Sequence, residues 1–101
     1  MKKNLLIVSS LLFSAFAFSQ NVGINATGAA PDASSMLDVV STTKGILLPR
    51  VSLTSTLIAA PVVAPANWLI VFNTNTAGDV TPGMYYWDGA RWVRMLGSSD
   101  A

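Results

Sequence analysis

The sequence predicts a mainly β protein: a small antiparallel sheet with a C-terminal aromatic β-hairpin and at most one short helix, preceded by a signal peptide. Three observations predict it. Lys2 and Lys3 stand ahead of an apolar run at residues 5–18 (LLIVSSLLFSAFAF), the order of charged and apolar regions in a secretory leader. Short apolar runs at 36–40, 46–48 and 68–72 are separated by clusters of Gly, Pro, Asn, Ser and Thr, the punctuation of strands and turns. Asp88-Gly89 lies between β-formers in YYWDGARWVR, residues 85–94, which is a hairpin signal.

The leader comes first, at residues 1–19. Small residues at Ala17 and Ser19 place cleavage between Ser19 and Gln20. Its apolar run falls short of the ~20 residues that a spanning helix needs, so a membrane anchor is not expected. The chain has no cysteine, which excludes a lipid-anchored form and leaves an exported domain without disulfides. Residues 20–101 carry Lys44, Arg50, Arg91 and Arg94 against Asp32, Asp38, Asp79, Asp88 and Asp100. That near-balance attracts neither nucleic acid nor an anionic membrane surface. A domain of this size with no disulfide builds a thin core, and association is its remaining route to stability.

Residues 20–35 (QNVGINATGAAPDASS) read as an extended, weakly ordered lead-in, rich in Gly, Ala and Asn. Asn25-Ala26-Thr27 matches a glycosylation sequon, given little weight in a chain of bacterial character. The β module follows at 36–96. Residues 36–40 (MLDVV) alternate as a strand, with Leu37 and Val39 on one face and Met36, Asp38 and Val40 on the other. Residues 41–45 (STTKG) turn the chain. Residues 46–48 (ILL) form a second strand, closed by Pro49-Arg50, because proline cannot donate to a ladder. Residues 53–60 (LTSTLIAA) suit one or two helical turns with Thr54 as N-cap, stopped by Pro61. Residues 68–72 (WLIVF) are a strand suited to burial on both faces. Residues 73–82 are a loop. The hairpin closes the module. A two-residue turn would pair Tyr85 with Trp92, and a three-residue turn would pair Tyr86 with Trp92. Residues 97–101 are a polar tail, and so early a stop after the hairpin fits a fragment of a longer protein as well as a whole one.

Catalysis finds little material. There is no His, Cys or Glu, and the five Asp stand six or more positions apart. The usual general base, nucleophile and metal ligands are therefore missing, and neither a phosphate loop nor a calcium loop is present. No enzyme, cofactor or metal is expected. Tyr85, Trp87, Arg91 and Trp92 are the candidate ligand-binding group, since stacked rings beside a guanidinium suit a glycan. Against this stands their use as core, because aromatic side chains carry so much apolar area in a small domain. The candidate assembly core is Leu37, Val39, Ile46, Leu48, Trp68, Ile70 and Phe72.

Several segments occur in a telling order: Asn21-Val22-Gly23-Ile24-Asn25, Pro31-Asp32-Ala33-Ser34, Leu37-Asp38-Val39, Ser-Thr-Thr-Lys-Gly at 41–45 and Pro49-Arg50. Val71-Phe72-Asn73-Thr74 and the hairpin at 85–93 follow. In that order they resemble the N-terminal module of secreted surface proteins of Bacteroidetes, particularly flavobacteria, with fibre-like or tail-fibre-like architecture. The likeness covers nearly all of the chain after the leader. It implies a non-enzymatic fibrous protein, with a trimer among its forms of assembly, and it supplies no ligand. The expected function is thus an exported structural or assembly module of a fibre-like, adhesin-associated protein. It would lie in the periplasm, on the cell surface or outside the cell. Its partners would be copies of itself or a downstream fibre protein, with no nucleic acid and no membrane once the leader is removed. The alternative is a small carbohydrate-binding module using the aromatic hairpin.

Overall fold

The computed structural model describes residues 21–96. The leader with its Ser19–Gln20 junction and the tail at 97–101 lie outside the described residues. The chain divides into two units, one running to Gly45 and the other starting at Ile46.

In the first unit β1 (Val22–Ile24) pairs in parallel with β2 (Leu37–Val39). Val22 stands opposite Leu37, Gly23 opposite Asp38 and Ile24 opposite Val39. The expected lead-in therefore contains a strand and is ordered. Sequence composition hid this because side chains rather than a long ladder do the ordering. The Asn25 carboxamide oxygen accepts the N–H groups of Thr27, Gly28 and Ala29 at 3.1, 2.6 and 3.2 Å, and its Nδ2 donates to the Ala29 carbonyl. Such Asx turns are what Asn offers the backbone. Asp32 accepts from the Ser34 N–H and hydroxyl, and Asp38 accepts the Asp32 N–H at 2.8 Å. Gly23 suits this close approach, because a β-carbon there would press on the Pro31 ring at 3.1 Å.

In the second unit four strands form one sheet in the order β3 (Arg50–Val51), β4 (Ile70–Asn73), β5 (Gly83–Trp87), β6 (Trp92–Arg94). β4, β5 and β6 are antiparallel, as expected, but β3 joins β4 in parallel, so the sheet is mixed. Residues 46–48, expected as a strand, make no ladder; the strand starts at Arg50, just where the proline was expected to end one. Parallel pairing here uses the carbonyls of Pro49 and Val51, which accept from Phe72 and Thr74 at 2.9 Å. A proline lacks only the donor, so its acceptor can open a strand.

Among the described residues there is no helix. Residues 53–60 form turns, because their backbone is claimed from outside. The Thr56 N–H donates to Asp79, and the Thr56 carbonyl accepts the Trp92 N–H at 2.8 Å. The core is Leu53, Val71, Val80, Tyr85 and Trp92, with Val51, Val62, Leu69, Ala77 and Trp87 packed against it. At its edge Asn73 is fully buried and fully bonded. Its Oδ1 accepts from Leu53 and Asn75 N–H at 2.9 and 3.0 Å, and its Nδ2 donates to the Asn75 and Thr81 carbonyls at 2.8 and 2.9 Å. That carboxamide fastens the 73–82 loop to the strand that leads into it.

The hairpin follows neither expected register. Trp87 pairs with Trp92, Tyr86 with Val93 and Tyr85 with Arg94. The loop holds four residues because Asp88 organises it: Oδ1 accepts the N–H groups of Ala90 and Arg91, both at 2.8 Å, and the Asp88 N–H donates to the Arg91 carbonyl. Gly89 has φ 105°, and a β-carbon there would meet the Asn67 carboxamide at 3.0 Å. This register sets the two indoles edge to face, with centroids 5.1 Å apart.

Candidate assembly surface

Strand alternation sorts the second unit's side chains into two faces. The inner face carries Val71, Asn73, Tyr85, Trp87 and Trp92. The outer face is also apolar, and the described residues cover it only in part. One row runs Arg50, Phe72, Met84, as the register dictates, and reaches Met95 through its N–H on the Met84 carbonyl. The next row runs Ile70, Tyr86, Val93. Trp68 stacks on Tyr86, with centroids 5.5 Å apart and the planes 26° from parallel. Residues 46–48 border this face, and with Arg50, Phe72 and Met84 they line a groove of about 370 Å³.

The first unit repeats the pattern on a smaller scale. Gly23 and Asp38 share the face covered by Pro31 and the Asp32 turn. Val22, Ile24, Leu37 and Val39 share the other, which is exposed. None of the four has a buried partner.

The seven residues expected as assembly core thus lie at the surface of a single chain. Leu37, Val39, Ile46, Trp68 and Ile70 are exposed, and Leu48 and Phe72 are half-buried. The strand at 70–73 buries one face and not both. Met84, Tyr86, Val93, Met95 and Leu47 complete the surface. Sequence reasoning missed them because their facing depends on the hairpin register. Of the four candidate ligand residues, Tyr85 and Trp92 are 2% and 1% exposed. Trp87 is half-buried and Arg91 exposed. With Tyr85 and Trp92 buried, the four do not form one exposed surface. Tyr85 instead donates its hydroxyl to the Thr81 carbonyl at 3.0 Å, and the Trp92 indole donates to the Ile58 carbonyl at 3.0 Å.

The carboxylates serve turns. The Thr56 hydroxyl and then its N–H hold Asp79 below the ordinary carboxylate range. The N–H groups of Ala90 and Arg91, helped by the Arg91 charge, do the same to Asp88. Ser34, first through its hydroxyl, lowers Asp32. Hydrogen bonds to the charged form favour it. Asp32 and Asp88 are bonded within their own loops, whereas Asp79 reaches Thr56, 23 residues back along the chain.

An apolar sheet face left partly exposed points to association, and a family model described as a phage tail like trimerisation region matches residues 23–101. The chain belongs to that family. No curated protein and no solved structure matches it. As a phage tail like trimerisation region, the chain is a structural, fibre-like assembly module, and membership supports self-association as a trimer. The match spans both units.

Proposed function

We propose that this trimerisation region is exported, and that it assembles a non-enzymatic, adhesin-associated fibre of the bacterial cell surface or medium, of the kind found in Bacteroidetes. One observation supports the assembly role above the others: the outer face of the sheet is apolar and only partly covered by the described residues, with Ile70 and Met84 exposed and Phe72, Tyr86 and Val93 half-buried. Three copies that turn these faces towards a common axis remove that area from water, at about 25 cal/mol for each Å². The first unit's uncovered ribbon gains likewise, since an isolated two-stranded ribbon is marginal in water. Export rests on the leader-like residues 1–19.

The test is to express the chain with its own leader in a bacterium with an outer membrane and recover the exported product. N-terminal sequencing should begin at Gln20, and sedimentation equilibrium should return three chain masses. An uncleaved chain kept in the cytoplasm counts against export. A folded monomer at micromolar concentration counts against the assembly role.

A further inference from the structure

We propose that Trp68 of one chain seats in the groove of the next, between residues 46–48 and the Phe72–Met84 pair, and that this knob-and-groove contact closes the ring of three. The inference deepens the trimerisation reading and rests on it. A cyclic trimer cannot be built from one self-complementary patch. Its interface is head to tail, so each chain must offer two different surfaces that fit one another. The outer face of the second unit carries such a pair.

The knob is Trp68. It is 69% exposed, although tryptophan carries more apolar area than any other residue in the chain. Its backbone has φ 72°, a left-handed conformation that is a true outlier for a bulky residue. The surroundings hold it there: its N–H donates to the Trp87 carbonyl, and its ring lies flat on Tyr86. One face of the ring covers Tyr86 and the rest stays in solvent, so the strained position presents apolar area that a neighbouring chain can bury.

The groove lies on the same face, one row away. Its volume of about 370 Å³ falls within the ~300–1,000 Å³ of pockets that enclose a small organic group. Its lining is apolar apart from Arg50, whose guanidinium supplies the cation that favours an indole face. Leu47 is 78% exposed at its rim.

Two variants test it. Trp68→Ala removes the knob and Leu47→Asp spoils the groove; both side chains are exposed, so circular dichroism should show the wild-type fold. With wild-type protein a trimer, each variant alone should sediment as a monomer at concentrations about a hundredfold above those where the wild type holds together. Mixed in equal amounts they retain one good knob and one good groove, and should form a heterodimer. Folded variants that stay trimeric at wild-type concentrations would overturn the proposed seat while leaving trimerisation intact. A wild-type monomer would instead remove the trimerisation reading, and the seat with it.

Discussion

The two units of this chain solve the same local problem with different means. The second builds a core: Leu53, Val71, Val80, Tyr85 and Trp92 are all under 4% exposed. Among its described residues the first builds none, and its strand residues Val22, Ile24, Leu37 and Val39 are exposed. Its shape comes from backbone N–H groups donating to the side-chain oxygens of Asn25, Asp32 and Asp38. Each such bond contributes little net stability, about 0.5–1.5 kcal/mol, because water competes for the same groups. Side-chain hydrogen bonds can therefore set a conformation without securing it, and the first unit's security must come from what its apolar face meets.

Substitutions can break or sharpen that contrast. The largest effect is expected from Trp92→Ala, which empties the core beneath the hairpin and should lower unfolding stability by about 3–5 kcal/mol, read from urea denaturation. Asn73→Leu keeps the volume but orphans the N–H groups of Leu53 and Asn75 and the carbonyl of Thr81. A single buried orphan costs about 1–3 kcal/mol, so a neutral result here would show that water reaches this site. Gly23→Ala presses on Pro31 in the first unit and should cost about 1 kcal/mol, in the range of mild overpacking. Leu37→Ala is the sharpest comparison. It removes the same atoms as Leu53→Ala would, yet in the dissociated chain the change should stay within about 0.5 kcal/mol, as at an exposed site. Only the assembled form should weaken, as a concentration-dependent melting temperature will reveal.

The smallest effect is a pH dependence. Asp79 has a folded pKa below its ordinary 3.8. A depressed carboxylate contributes stability that is fully present above the unfolded value and is lost as pH falls through the folded one. Wild-type protein should therefore lose stability below about pH 4, and Asp79→Asn should flatten that limb of the curve. Asp32, lowered in the same direction by Ser34, gives the first unit its counterpart.

Much of this was legible in the sequence. The strand at 37–39, the apolar strand near 70–72, the loop at 73–82 and the hairpin all declare themselves through alternation, runs of β-formers and turn residues. β1 did not, because three residues, one of them glycine, carry too short a pattern, and its support comes from Asn and Asp side chains acting across the turn. The 53–60 segment misled because local propensity favoured a helix while Asp79 and Trp92, far along the chain, claimed its backbone. The hairpin register was hidden in Asp88, whose side chain caps two N–H groups and stretches the turn to four residues. The assembly surface was half visible. Trp68, Ile70 and Phe72 stood out as apolar, but Met84, Tyr86 and Val93 join them only once that register is fixed.

The hydrogen bonds of Trp92 have a consequence for biosynthesis. Its backbone and indole N–H groups reach back to the carbonyls of Thr56 and Ile58, and its ring fills the core that Leu53 roofs. A ribosome makes β6 last of the six described strands. Until it emerges, the turns at 53–60 hold only to Asp79 and lack the two bonds that Trp92 gives them, and Leu53, Val71, Val80 and Tyr85 wait for the indole that completes their core.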